Sequence, residues 1–146
     1  MQKLLLLVLI VIMSTLTHAQ IANDFMIGAG ADLVKTDNDG LFKKVQAGAE
    51  FNYFLHKRFT VTGAFEVWTD DEISFVLGGR WYPIDELFIR TRGLVGVNDL
   101  SVGAGWGKPL GEHFRFEAIG DFYFKGQFSI RTGINYVFRK KLKARE

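Results

Sequence analysis

From Asp24 to Phe138 apolar and polar residues alternate with a period of two, and no segment keeps a 3.6-residue spacing for three turns. Turn-forming groups interrupt the alternation at Asn38-Asp39-Gly40, His56-Lys57-Arg58, Asp70-Asp71, Pro83 to Glu86, Asn98-Asp99, Pro109 to Glu112 and Lys125-Gly126. Seven turns predict eight antiparallel strands, near 24–35, 42–55, 58–69, 72–82, 87–97, 100–108, 113–124 and 127–138. These are longer than the roughly five or six residues of a soluble sheet and fit the roughly 9–11 that a tilted strand needs to cross a bilayer. The expected fold class is all-β, an eight-stranded antiparallel up-and-down barrel in a membrane.

The last strand shows the two faces clearly. Phe128, Ile130, Thr132, Ile134, Tyr136 and Phe138 fall on one side, and Ser129, Arg131, Gly133, Asn135 and Val137 on the other. Continued through all eight strands, the first face carries no charge. The second carries Asp32, Lys44, Glu50, Glu66, Arg80, Arg90, Arg92, Arg115, Glu117, Asp121 and Arg131. Alternation alone leaves two barrels open, because a soluble lipocalin-like barrel has the same period with its apolar side inward. Size decides between them. An eight-stranded lumen is just wide enough for side chains and would not hold so many Phe, Trp, Tyr, Leu and Ile. Glycines such as Gly28, Gly103, Gly105 and Gly107 share the charged face, where they make room for long neighbours. The apolar face is therefore expected outward, where an Arg or Lys near the bilayer midplane would cost roughly 2–4 kcal/mol.

The N-terminus adds a destination. Lys3 precedes an unbroken apolar run from Leu4 to Met13 and a short polar stretch with Thr17 and Ala19 at the minus-three and minus-one positions. This is the pattern of a secretory signal peptide over 1–19, and the apolar run is too short to span a membrane as a helix. Gln20 would begin a single mature domain, 20–138, followed by a basic tail, 139–146, expected in the periplasm. The chain has no cysteine, which excludes disulfides, thiolate chemistry and a lipid-modified cysteine. Bases and acids are nearly balanced, which gives no reason to expect nucleic acid.

Six inward bases against five inward acids come close to neutrality, as buried charge requires. A two-residue turn at Asn98-Asp99 would set Gly105 opposite Arg92 and Gly107 opposite Arg90, with Gly107 also beside Arg115 and Gly105 beside Glu117. A three-residue turn over 125–127 would set Asp121 opposite Arg131. These pairings predict a salt-bridged plug rather than a wide pore. Glu50 and Glu66 read as partners of lumenal arginines, and the acidic groups at Asp37 to Asp39 and Asp70 to Glu72 as solvated loop tips.

Chemistry of other kinds finds little footing. His56 and His113 fall in turns without a serine beside them, and Ser74, Ser101 and Ser129 stand alone on the charged face. No catalytic set, metal ligand set or cofactor motif emerges. The chain is expected to be non-enzymatic, with a soluble apolar-ligand carrier and a lipid-modifying enzyme as the alternatives. The expected outer loops, near 36–41, 69–72, 98–99 and 125–127, are too short to offer much adhesive surface.

The C-terminal strand carries a family resemblance. Arg131-Thr-Gly133-Ile-Asn-Tyr136-Val-Phe138 fits a polar-x-Gly-x-x-aromatic-x-aromatic ending. In this the chain resembles the OmpA/OmpX-like small outer-membrane barrels, from about Asp24 to Phe138. The resemblance implies location in the bacterial outer membrane and recognition of Arg131, Gly133, Tyr136 and Phe138 by the barrel-assembly machinery. It also implies periplasmic chaperones as transient partners, lipid and lipopolysaccharide as surroundings, and a monomer. Many members end at the final aromatic, whereas this chain continues into its basic tail.

Overall fold

The computed structural model describes residues 23–35, 44–69 and 71–139. The leader over 1–19, the turn at Asn38-Asp39-Gly40 and the tail beyond Arg139 lie outside them. Eight strands form: β1 Phe25–Lys35, β2 Lys44–His56, β3 Phe59–Trp68, β4 Ile73–Ile84, β5 Leu87–Val95, β6 Asp99–Leu110, β7 Phe114–Tyr123 and β8 Gln127–Phe138. Each pairs antiparallel with the next, and β8 pairs with β1, so the sheet closes with no free edge.

Two strand ends run into the expected turns, and both contain a proline. Pro83 lies beyond Phe59↔Trp81, the last β3–β4 pair, and Pro109 lies beyond Leu87↔Trp106, the last β5–β6 pair. A residue without an N–H is tolerated where one neighbouring strand has already ended. Lys108, on the extended end of β6, is exposed at this rim.

The register fixes the shape. Following pairs from Phe25 through Tyr53, Val61, Gly79, Thr91, Val102, Phe122 and Phe128 returns to β1 at Lys35, ten residues further along. Such a stagger in eight strands goes with a tilt of about 35–45° and an interior that side chains can fill.

The faces fall as the alternation predicts. Ile27, Phe51, Phe65, Phe75, Leu77, Trp81, Ile89, Leu100, Phe122 and Ile134 are exposed on the outside. Between the rims no described outward position is charged; outward Lys108 marks the end of the belt on the side of the termini. Val97 is a correction: it was expected on the outer face, but the β5–β6 turn folds it over the barrel mouth.

The interior is layered. At the end that carries the termini, Met26, Phe54, Tyr82, Phe88, Ile119 and Val137 form one buried apolar cluster. At the other end Trp68, Val76, Leu94 and Tyr123 form a second, with Ala64 and Val97 against it. The charged residues lie between the two clusters.

Candidate functional site in the barrel lumen

Of the expected lumenal charges, Asp32, Glu50, Glu66, Arg80, Arg90, Arg92, Arg115, Glu117, Asp121 and Arg131 are all buried. Lys44 belongs to β2, and its side chain lies outside the described residues. Each of the ten is on the inward parity of its strand, so the backbone alone aims them at the barrel axis.

They form a closed alternating ring with two branches. Glu50 contacts Arg90 (3.3 Å); Arg90 binds Asp121; Asp121 faces Arg92 (3.7 Å). Arg92 binds Glu66, Glu66 pairs with Arg131 (2.9 Å), and Arg131 returns to Glu50 (3.2 Å). From Glu50 a branch runs to Arg80, then Glu117 (2.8 Å) and Arg115 (3.1 Å). From Arg131 a second branch reaches Asp32, with Nε 2.5 Å from Oδ1. Five guanidiniums meet five carboxylates with signs alternating throughout, the arrangement that makes charge tolerable in a low-dielectric interior.

Neutral groups complete the network. Asn52 donates to Glu50 (2.9 Å) and Thr62 to Asn52 (2.6 Å). Gln46 donates to Glu66, and the Tyr123 hydroxyl accepts from Arg92 (2.8 Å) while donating to Gln46 (3.3 Å). Arg80 also lies over the Phe88 ring at 4.5 Å and Arg115 over Tyr82 at 5.6 Å, so the apolar cluster at the termini end holds the edge of the charged layer. Gln46, Asn52, Thr62 and Tyr123 were not singled out from the sequence. Their signal was the inward parity they share with the charges.

The expected pairings need correction. Arg92 is opposite Ser101, not Gly105, and Arg90 is opposite Gly103, not Gly107. The β5–β6 connection is longer than two residues: Gly96 and Asn98 both take positive φ (117° and 53°), and Leu94 pairs with Asp99. Gly107 does neighbour Arg115, whose guanidinium fills the space a Cβ would take, although its register partner is Glu117. Gly105 pairs with Ile119, not Glu117, and the Phe88 ring lies over it. Asp121 is opposite Ser129, while Arg131 is opposite Ile119 and Asp32. Asp121 instead accepts from Arg90, from its Nε at 2.9 Å and from its Nη2. The β7–β8 turn comprises residues 124–126, one position earlier than expected, with Gly126 at φ 93°.

A void of about 10 Å³ beside Glu50, Arg80, Glu117 and Arg131 has room for about one water. The histidines lie at the termini end, where the His113 Nδ1 is 3.2 Å from the Val137 carbonyl and the ring stacks on Tyr136. Ser74, Ser101 and Ser129 are buried toward the opposite end. No group of three or more potential metal ligands occurs among the described residues.

The residues expected to form an assembly signal, Arg131, Gly133, Tyr136 and Phe138, lie on β8. Phe138 stacks on Phe25 across the closing seam (centroids 4.4 Å apart, planes 12°) and meets Tyr136 edge-on at 4.7 Å. Gly133 faces Gly30 of β1, where a Cβ would crowd the Ala29 carbonyl.

No protein-family model matches the chain, and no curated protein sequence matches it. Solved structures do. A de novo designed transmembrane β-barrel superposes with a TM-score of 0.66 at 13% identity, covering 82% of this chain and 99% of the design. The attachment invasion locus protein Ail of Yersinia pestis, in complex with the heparin analogue sucrose octasulfate, gives 0.52 at 15% identity, covering 81% and 100%. At these identities the likeness is one of fold.

Proposed function

We propose that this protein is an integral outer-membrane barrel of the OmpA/OmpX-like kind, exported by residues 1–19 and serving the cell envelope structurally, without catalysis. The carrying observation is the inversion of its two faces. An uncharged belt of large apolar side chains stands outside, and the ten charges of the network are buried inside, between the two interior apolar clusters. Water would not tolerate that belt, because monomeric soluble proteins rarely expose apolar patches beyond a few hundred Å². Lipid would, and the strands, 9 to 13 residues long, match a bilayer crossing.

The same geometry weighs against the alternatives. A carrier of apolar ligands needs an apolar cavity, whereas this lumen is filled by ion pairs around a void of water size. A lipid-modifying enzyme needs a base within reach of a nucleophile, and the histidines and lumenal serines lie toward opposite ends. The charge layer and the apolar cluster at each end close the lumen, leaving at most a very narrow path. The termini end faces the periplasm, where the assembly machinery reads the last strand and chaperones meet the unfolded chain. The folded barrel is a monomer surrounded by lipid and lipopolysaccharide.

Fractionation tests this reading. The mature protein should stay in the outer-membrane fraction through a urea wash and migrate differently in SDS gels with and without boiling, since a closed barrel has no edge from which to unravel. Release of a folded protein into the soluble periplasm would overturn it.

A further inference from the structure

Two polar groups beside the lumenal void are left over by the hydrogen bonds of the charge layer. Arg80 donates through Nη1 to Glu117 (2.8 Å) and to the Tyr82 hydroxyl (3.4 Å), and through Nη2 to Glu50, but its buried Nε finds no partner. Asn135 is also buried, and its amide makes no hydrogen bond among the described residues. Both residues line the void of about 10 Å³, and so does Glu117. Glu117 has capacity left, since its Oε1 accepts from Arg115 Nε (3.1 Å) and its Oε2 from Arg80, one bond at each oxygen. Glu50, on the same void, already accepts from Asn52, Arg80, Arg90 and Arg131.

The backbone makes room for the amide. Gly28 is the register partner of Asn135 across the closing seam, and a Cβ there would run into Asn135 Oδ1. The glycine therefore lets the Asn135 side chain lie over β1 at the wall of the void. The charges around the void cancel, Arg80 and Arg131 against Glu50 and Glu117, so an ion of either sign would leave a buried charge unbalanced. A neutral dipole would not, and roughly 10–15 Å³ is what one water needs. The apolar clusters at the two ends separate the void from bulk water.

We propose that one water is a fixed member of the charge layer, accepting from Arg80 Nε, donating to Glu117 and bonding the Asn135 amide. About three such bonds are usual for a buried water. The proposal rests on the closed-lumen reading above and adds a ligand to it.

NMR of the full mature barrel in detergent micelles, isotope-labelled at the arginine nitrogens, tests it. Each arginine Nε–H gives its own signal, and Arg80→Lys identifies that of Arg80 by its loss. Wild type should show magnetisation transfer from water to the Arg80 Nε–H and none to that of Arg90, which is bonded to Asp121 at 2.9 Å. Asn135→Leu, close in size but without the amide, should lose most of the transfer, and Lys108→Ala should keep it in full. Heat-dependent gel migration of each variant establishes that the barrel is folded. No transfer at Arg80 in folded wild type, or full transfer in folded Asn135→Leu, would overturn the water site while leaving the closed lumen intact. Transfer to Arg80 and Arg90 alike would mean a continuous water column and overturn both.

Discussion

Arg80 and Arg90 are direct register partners on β4 and β5, two guanidiniums side by side, and Glu50 reaches from β2 to bind both. Like charges opposed across a strand pair are destabilising unless a counter-charge joins them. Glu50 also holds Arg131, so it is the hub of the layer. Glu50→Gln should therefore leave three buried guanidiniums short of charge and cost on the order of 3–5 kcal/mol. Lys108→Ala, at the exposed rim, should stay within about 0.5 kcal/mol. Urea unfolding in lipid vesicles measures both; equal midpoints would remove the hub.

The ring makes a specific claim about Asp121. Its partner is Arg90, and the Asp121 and Arg131 side chains reach different partners. A double-mutant cycle of Asp121→Ala with Arg90→Ala should give a coupling within the 0.5–3 kcal/mol range of residues in contact. The cycle with Arg131→Ala should give a clearly smaller one, carried only through the network. The reverse order would mean that the register is wrong.

The seam offers a third prediction. Phe138 is stacked between β8 and β1, so Phe138→Ala loses Phe25 and Tyr136 together. It should lower the yield of heat-modifiable barrel far more than deletion of 139–146. Equal losses would move the assembly signal into the tail.

The closed lumen predicts electrical silence. With an apolar cluster at each end and a void of about 10 Å³ between, purified protein in planar bilayers should show only small or rare conductance steps. Stable porin-sized steps would move the function to passive transport.

How far the sequence foretold this depends on parity. Side chains in a strand change face at every residue, so the alternation located the strands and the inward set of charges without knowledge of any pairing. Register was harder. The β5–β6 turn winds through Gly96 and Asn98 instead of closing on Asn98-Asp99, which moved the partner of Arg92 from Gly105 to Ser101. Because that shift is even, faces survived and pairs did not. The apolar clusters escaped notice for the same reason: Trp68, Leu94 and Tyr123 are far apart in the chain, and only the closed register brings them to one mouth. The Glu50 hub could not be read either, since its contacts cross the lumen rather than follow the strands.

The central claim is that the apolar face meets lipid and the charged face does not, and the three tryptophans report on it separately. Trp81 and Trp106 lie outside, 50% and 39% exposed, whereas Trp68 is inside at 2%. Single-tryptophan variants, the other two changed to Phe, should be reconstituted in vesicles with brominated acyl chains. Fluorescence of the Trp81 and Trp106 variants should be strongly quenched and that of the Trp68 variant nearly spared. Quenching of Trp68 with sparing of Trp81 and Trp106 would contradict the account.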